Sequence, residues 1–299
     1  MNLKTIFCST VLLFSGGLSW FFVKKQTGIT LPIEFSIFYR NMGSSLFLFI
    51  GLTLLGKGKI FRLNKEEFSL ILKVAILYYF FYFMASYYGS SFLIAGLVAV
   101  ISSTKTIFVE FIKAIIQKKY PSKKILLAAI LGSMGVFFMS KGNMTITDTS
   151  LDKIILGLCI AFIAPISNAC SYIVINTSEA KKNLNNFALA AYGSLIGSLM
   201  ILIVGICKYK SIYPMPLNVD YLISWGYLAF FATGLITVMA YYLIEHIGPS
   251  KTTMMSLAHS PVALMLDAIF NNNIPNNNVI FGIILCVCAL YLGLTAKNK

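Results

Sequence analysis

The chain has 299 residues, of which 58% are hydrophobic and 11% charged, with a mean hydropathy of +0.82 and a formal net charge of +14. Soluble domains carry about 25% charged residues, so a chain this apolar cannot clothe a water-facing surface and reads as an all-α integral membrane protein. The positive charge does not point to nucleic acid, because the bases lie in short clusters between apolar runs of about 20 residues, the length that spans a bilayer core.

The first apolar run, near 5–23, follows Lys4 and continues past Ser15-Gly16-Gly17 through Trp20-Phe21-Phe22 to Lys24-Lys25. A signal peptide is the alternative, but no small-x-small cleavage site follows, and we read an uncleaved first span. Nine more spans are expected near 33–56, 68–87, 91–113, 124–140, 154–175, 187–207, 221–243, 252–270 and 279–296. The breaks have physical content. "GKGKIFRLNKEE" and "NTSEAKKNLNN" are too polar for hydrocarbon, and "YPMPLN" and "NNNIPNNN" combine prolines with amides that end helices. The short "YYGSS" stretch (87–91) is expected to part the third span from the fourth. With the N-terminus inside, loop Lys and Arg residues divide fourteen inside to six outside, leaving Arg40, Lys73, Lys105 and Lys113 within spans. That asymmetry puts both termini in the cytoplasm, and a bacterial cytoplasmic (inner) membrane is the expected location. The six cysteines (Cys8, Cys159, Cys170, Cys207, Cys286 and Cys288) form no C-x-x-C pair and read as inert thiols of apolar segments.

Sliding the sequence by 154 positions lays "KTIFVEFIKAIIQKKYPSKKILLAAILG" on "HSPVALMLDAIFNNNIPNNNVIFGIILC". Ala114-Ile115 meets Ala268-Ile269, Pro121 meets Pro275, Lys105 falls on His259, and Lys113 falls on Asp267. Both copies cover the fourth-to-fifth span of a half, which predicts two five-span repeats, 1–145 and 146–299. An odd number of spans makes the second half enter from the opposite face, giving an inverted repeat.

On these features the chain resembles the EamA-type family of the drug/metabolite transporter superfamily over essentially its whole length. The resemblance rests on five-plus-five spans, the arginine of "IFYRN", and the tails "PSKKILLAAILGSMGVFFMS" and "PNNNVIFGIILCVCALYLG". It rests also on "IEHIGPSKTTMMSLAHSPVALML", with a mid-helix proline at Pro261. Two departures stand out: Ile107 replaces a proline frequent in the family, and Lys119 and Asn273 replace the acid common before each last span. The resemblance implies a small-molecule carrier with a central cavity. Its substrates would range over amino acids, nucleotide-like metabolites and drugs.

Lys105 lies about midway between Ser90 and Lys118, so roughly 20 Å of helix separates it from either end. A lysine at a helix centre costs about 2.5–3.5 kcal/mol to insert, so it is expected to face a polar cavity. The alternative is a buried lysine held by hydroxyls such as Ser102, Ser103 or Thr104. Glu110 and Lys113, three apart, can pair on one face. His259 corresponds to Lys105 across the repeat, and Pro261 removes one backbone donor beside it and crowds the Leu257 carbonyl. Arg40 is a cavity candidate or a partner of Glu34. Of sixteen tyrosines, Tyr39, Tyr87, Tyr88, Tyr192, Tyr241 and Tyr242 are candidates for a cavity wall. Glu110 and Asp267 are the obvious carboxylate proton carriers, with His259 a third.

Catalysis is disfavoured, since His246 and His259 are the only histidines and no span carries paired carboxylates. There is no G-x-x-x-x-G-K loop, so energy would come from a gradient or from exchange. No cofactor and no metal site are expected. Lipid and a small-molecule substrate are the expected partners, nucleic acid is not, and a homodimer is left open. We therefore expect a secondary transporter of a small polar metabolite working by alternating access, with an amino acid or organic acid favoured. A carrier of nucleotide-like metabolites or drugs, or a membrane scaffold or sensor that transports nothing, is the alternative.

Overall fold

Polar caps and left-handed residues punctuate a chain whose regular elements, among the described residues, are all helices. The computed structural model describes residues 3–27, 31–54, 63–93, 95–118, 120–141, 151–259, 261–262 and 277–296. In order these are α1 (Leu3–Thr27), α2 (Ile33–Leu54), α3 (Lys65–Phe92), α4 (Ala95–Ser103), α5 (Lys105–Gln117) and α6 (Lys123–Lys141). Then come α7 (Leu151–Thr177), α8 (Asn186–Tyr209), α9 (Val219–Ile247), α10 (Pro249–Met255) with a 3₁₀ turn at Ser256–Ala258, and α11 (Asn277–Thr295). Asn64 opens α3 with a reciprocal capping box: its side chain accepts from the Glu67 amide at 2.7 Å while its own amide donates to Glu67 Oε2 at 2.9 Å. Asn185 and Asn218 cap α8 and α9 in the same way, without the return bond. Gly248, at φ 83°, makes the tight corner between α9 and α10, and Pro249 then starts the next helix.

Seven helices among the described residues (α2, α3, α6, α7, α8, α9 and α11) are long and apolar enough to cross a membrane. The other expected spans are less regular. α1 offers the apolar run Leu3–Ser19, the fourth span is broken, and the ninth continues outside the described residues after 262. The surface is oily, with Ile50, Leu54, Ile130 and Ile203 exposed, and a largely apolar interior also takes in Glu34, Asn41, Thr106, Glu110 and Asn168. A lipid solvent requires that oily face.

The third span does not end at 87–91. α3 runs on to Phe92, with Ser90 and Ser91 turning their hydroxyls back onto the carbonyls of Ser86 (2.7 Å) and Tyr88 (2.8 Å). The chain turns only at extended Leu93 (φ −116°, ψ 150°). Inside α3, residues Ala75–Tyr82 are wound as a π-helix, and Leu228–Leu235 in α9 are wound likewise, 153 positions later. A π segment loosens the carbonyl ladder, and neighbouring helices use it here. Ser167 of α7 donates to the Leu77 carbonyl at 2.5 Å, and Asn41 of α2 donates to the Tyr79 carbonyl at 3.3 Å.

α6 lies along α11, α2 along α8, α3 against α7, and α1 against α9. Small residues set the closest approaches. At the α6–α11 crossing, a Cβ added to Gly135 would sit 2.7 Å from the Gly282 carbonyl oxygen. Gly197 of α8 likewise leaves room for Tyr79 of α3.

Candidate functional site

A cavity of about 460 Å³ lies between the helices. It runs from a rim that includes exposed Ser90 and Ser91 at the end of α3 inward to Lys105, Ser256 and His259. The two inner sides are helix breaks. α4 stops at Ser103 and α5 begins at Lys105, with Thr104 between them. The corresponding stretch of the ninth span is the 3₁₀ turn Ser256–Ala258 before His259. Lys105 thus opens a helix rather than standing in the middle of one. Thr104 and Ala258 are 154 apart, so both breaks fall at the same place in the sequence repeat.

The hydroxyls of Ser103 and Thr104 turn back onto their own helix. Ser103 donates to the Val100 carbonyl (2.6 Å) and accepts from the Ser133 hydroxyl (2.9 Å), and Thr104 donates to the Ile101 carbonyl (2.6 Å). The Lys105 ammonium instead lies 5.9 Å from the Tyr172 ring centroid and faces the cavity, which Ser102 also lines. Arg40 is the second cation. Its Nε donates to Thr233 Oγ1 in the α9 π segment at 2.7 Å, its Nη1 donates to Tyr87 OH at 3.0 Å, and its guanidinium lies 5.1 Å over the Phe83 ring. Glu34 is not its partner. Glu34 is fully buried and takes Lys208 at 2.9 Å and the Tyr88 hydroxyl, tying α2 to α8 and α3. Among the described residues no carboxylate lines the cavity.

His259 lines the cavity with its ring against Gly16 of α1, where any Cβ would collide with it. Among the described residues its Nε2 is buried without a partner, as is Oδ1 of Asn168, which also lines the cavity. Pro261 is buried just beyond. Of the tyrosines expected at the wall, Tyr87 is there and the others are not. Tyr39 donates to the Tyr213 carbonyl at 2.7 Å, Tyr192 meets Phe49 edge-on, and Tyr242 stacks on His246. Tyr88 belongs to the Glu34 network and Tyr241 is packed in the core. The aromatic wall is built instead by Tyr78, Tyr82, Phe83 and Tyr172, with Tyr78 and Tyr82 stacked at 5.0 Å. The π segment carries Tyr78 and Tyr82, and nothing in "AILYYFFY" announces that winding.

About 7 Å further along α5 from Lys105, Glu110 is 2% exposed and pairs with Lys113 at 3.7 Å. It also accepts the Ser122 amide at 3.1 Å and the Ser250 hydroxyl. One carboxylate therefore joins α5 to the starts of α6 and α10, next to cavity-lining Thr252. Asp267 lies outside the described residues.

A bundle of apolar helices enclosing a cavity lined by Arg40 and Lys105 is that of an integral membrane protein. The model of the EamA-like transporter family matches the chain twice, over residues 3–141 and 155–295, and the chain belongs to that family. A solved crystal structure shares the fold at a TM-score of 0.78 and 10% identity, covering 98% of this chain and 96% of its own. No curated protein matches.

Proposed function

We propose that the protein is a secondary transporter that carries a small polar metabolite bearing an anionic group, an amino acid or organic acid, by alternating access. One observation carries the reading: Arg40 and Lys105 face one cavity that no described carboxylate lines. Two cations with no carboxylate beside them among the described residues are costly in a low-dielectric interior, and a bound anion supplies the opposite charge. His259, Tyr87 and the Pro261 break complete the proposed site. Tyr39, Tyr192 and Tyr242, placed elsewhere, are not part of it.

Two inverted five-helix repeats, 1–145 and 146–299, supply the motion in this reading. The matched π segments and the matched helix breaks support that division. The distribution of Lys and Arg supports cytoplasmic termini in a bacterial inner membrane. The Glu110 network then closes the cytoplasmic side of the cavity, and its bonds favour a latch over a proton carrier.

The test is uptake of a panel of organic acids and amino acids into liposomes, comparing the parent with Lys105→Met. A charge-assisted contact contributes about 1.5–3 kcal/mol, so the variant should lose tenfold or more in apparent affinity while inserting normally. Uptake indistinguishable from empty liposomes across the panel would make the protein a static binder or sensor. A preference for organic cations would overturn the assigned charge.

A further inference from the structure

We infer that the cavity selects substrates with two separate acidic groups and no ammonium: dicarboxylates rather than amino acids or monocarboxylates. The inference rests on the cavity being the substrate site. The two cations stand on different helices and over different rings, Arg40 over Phe83 and Lys105 over Tyr172. Each has donors to spare. Arg40 has five N–H groups, of which the Thr233 and Tyr87 bonds use two. Lys105 has three and, among the described residues, no hydrogen-bond or carboxylate partner. The Tyr87 hydroxyl accepts from Arg40, so its own proton is free to donate to the same anion. One carboxylate brings a single negative charge to two cations and leaves the cavity net positive. Two carboxylates answer both.

An α-amino acid fits the same surroundings poorly. Its ammonium would enter a space with two fixed positive charges and no described carboxylate. The neutral acceptors to hand, Asn168 Oδ1 and His259 Nε2, can take hydrogen bonds from it but cannot offset repulsion from two cations at low dielectric. The ring faces of Tyr78, Tyr82 and Tyr172 pack the carbon skeleton between the acid groups. Selection therefore works as much by penalty as by attraction.

The experiment is calorimetric titration of the purified full chain in detergent with isologous acids. Succinate is compared with aspartate, which adds an ammonium, and with butyrate, which lacks one carboxylate. Glutarate and adipate extend the spacing between the acid groups. The dicarboxylate of best-fitting length should bind at least tenfold more tightly than aspartate or butyrate. In Lys105→Met its affinity should fall to within about threefold of butyrate's, since one charged contact typically carries a factor of ten or more. Aspartate or butyrate binding as tightly as every dicarboxylate would overturn the inference, as would hydrogen phosphate matching them or no dicarboxylate binding at millimolar concentration. The ligand comparison on the parent decides the matter even if the variant fails to fold. Because binding is read without flux, dicarboxylates that bind but never cross would sink the transport reading alone. Amino acids that cross while dicarboxylates fail to bind would sink only this one.

Discussion

Replacing Gly135 or Gly282 with valine should deplete the folded protein. The two glycines face each other where α6 crosses α11, and each would thrust its new Cβ into backbone as well as into a side chain, Cys286 Sγ at Gly135 and Met139 Cγ at Gly282. At Gly135 the obstacles are the Gly282 carbonyl oxygen at 2.7 Å and the Cys286 amide nitrogen at 3.0 Å. At Gly282 they are the Gly135 carbonyl oxygen at 2.5 Å and the Met139 nitrogen at 2.9 Å. Relief requires the helices to separate, which loosens buried Val136, Met139 and Cys286 along the same seam. Overpacking costs about 1–3 kcal/mol and sometimes more, and backbone against backbone belongs at the upper end. A drop of roughly 10 °C in melting temperature and loss of the monodisperse peak in detergent are expected. Gly51→Val is the control, since a Cβ there meets nothing within 4 Å. A Gly135→Val protein that melts with the parent would show that α6 and α11 do not pack this way.

Glu110→Ala should cut transport by more than tenfold while leaving ligand affinity in detergent within about threefold. The carboxylate accepts from Ser250 and Ser122 and pairs with Lys113, yet it does not line the cavity. Removing one partner of a buried charged network costs roughly 3–5 kcal/mol, because the others are left unsatisfied. Here that loss falls on the contacts holding the starts of α6 and α10 together, and so on the state closed at that side. Glu110→Gln separates two roles. An amide oxygen still accepts from Ser250, so a latch keeps much of its function. A proton carrier would lose gradient-driven uptake and keep exchange. Normal flux and normal binding in Glu110→Ala would leave the residue with no part in gating.

Much of this architecture is readable in the sequence, for identifiable reasons. Apolar runs and their polar or proline-bearing breaks depend on solvent alone, so the long helices lie close to where the runs predict them. The 154-residue offset led to Lys105 and His259, and both follow a helix break in one cavity. What was illegible depends on side chains that meet through the fold. Ser90 and Ser91 look like a break but cap their own helix. The hydroxyls of Ser103 and Thr104 look available to Lys105 but bond backwards. Glu34 finds its partner in Lys208, 174 positions away, where local reading offered Arg40. Tyr78 and Tyr82 of the π segment and Tyr172 of α7 meet at the cavity only through the packing of the helices, which no local pattern announces.

The central claim is that cargo sits between Arg40 and Lys105. Its most direct test is a crystal structure of the protein grown with saturating 2-bromosuccinate, with bromine located by its anomalous scattering. The account predicts a bromine peak inside the cavity beside the Tyr78–Tyr82 pair, with carboxylate density reaching both cations. A cavity free of bromine, or a peak confined to the lipid-facing surface, would contradict it.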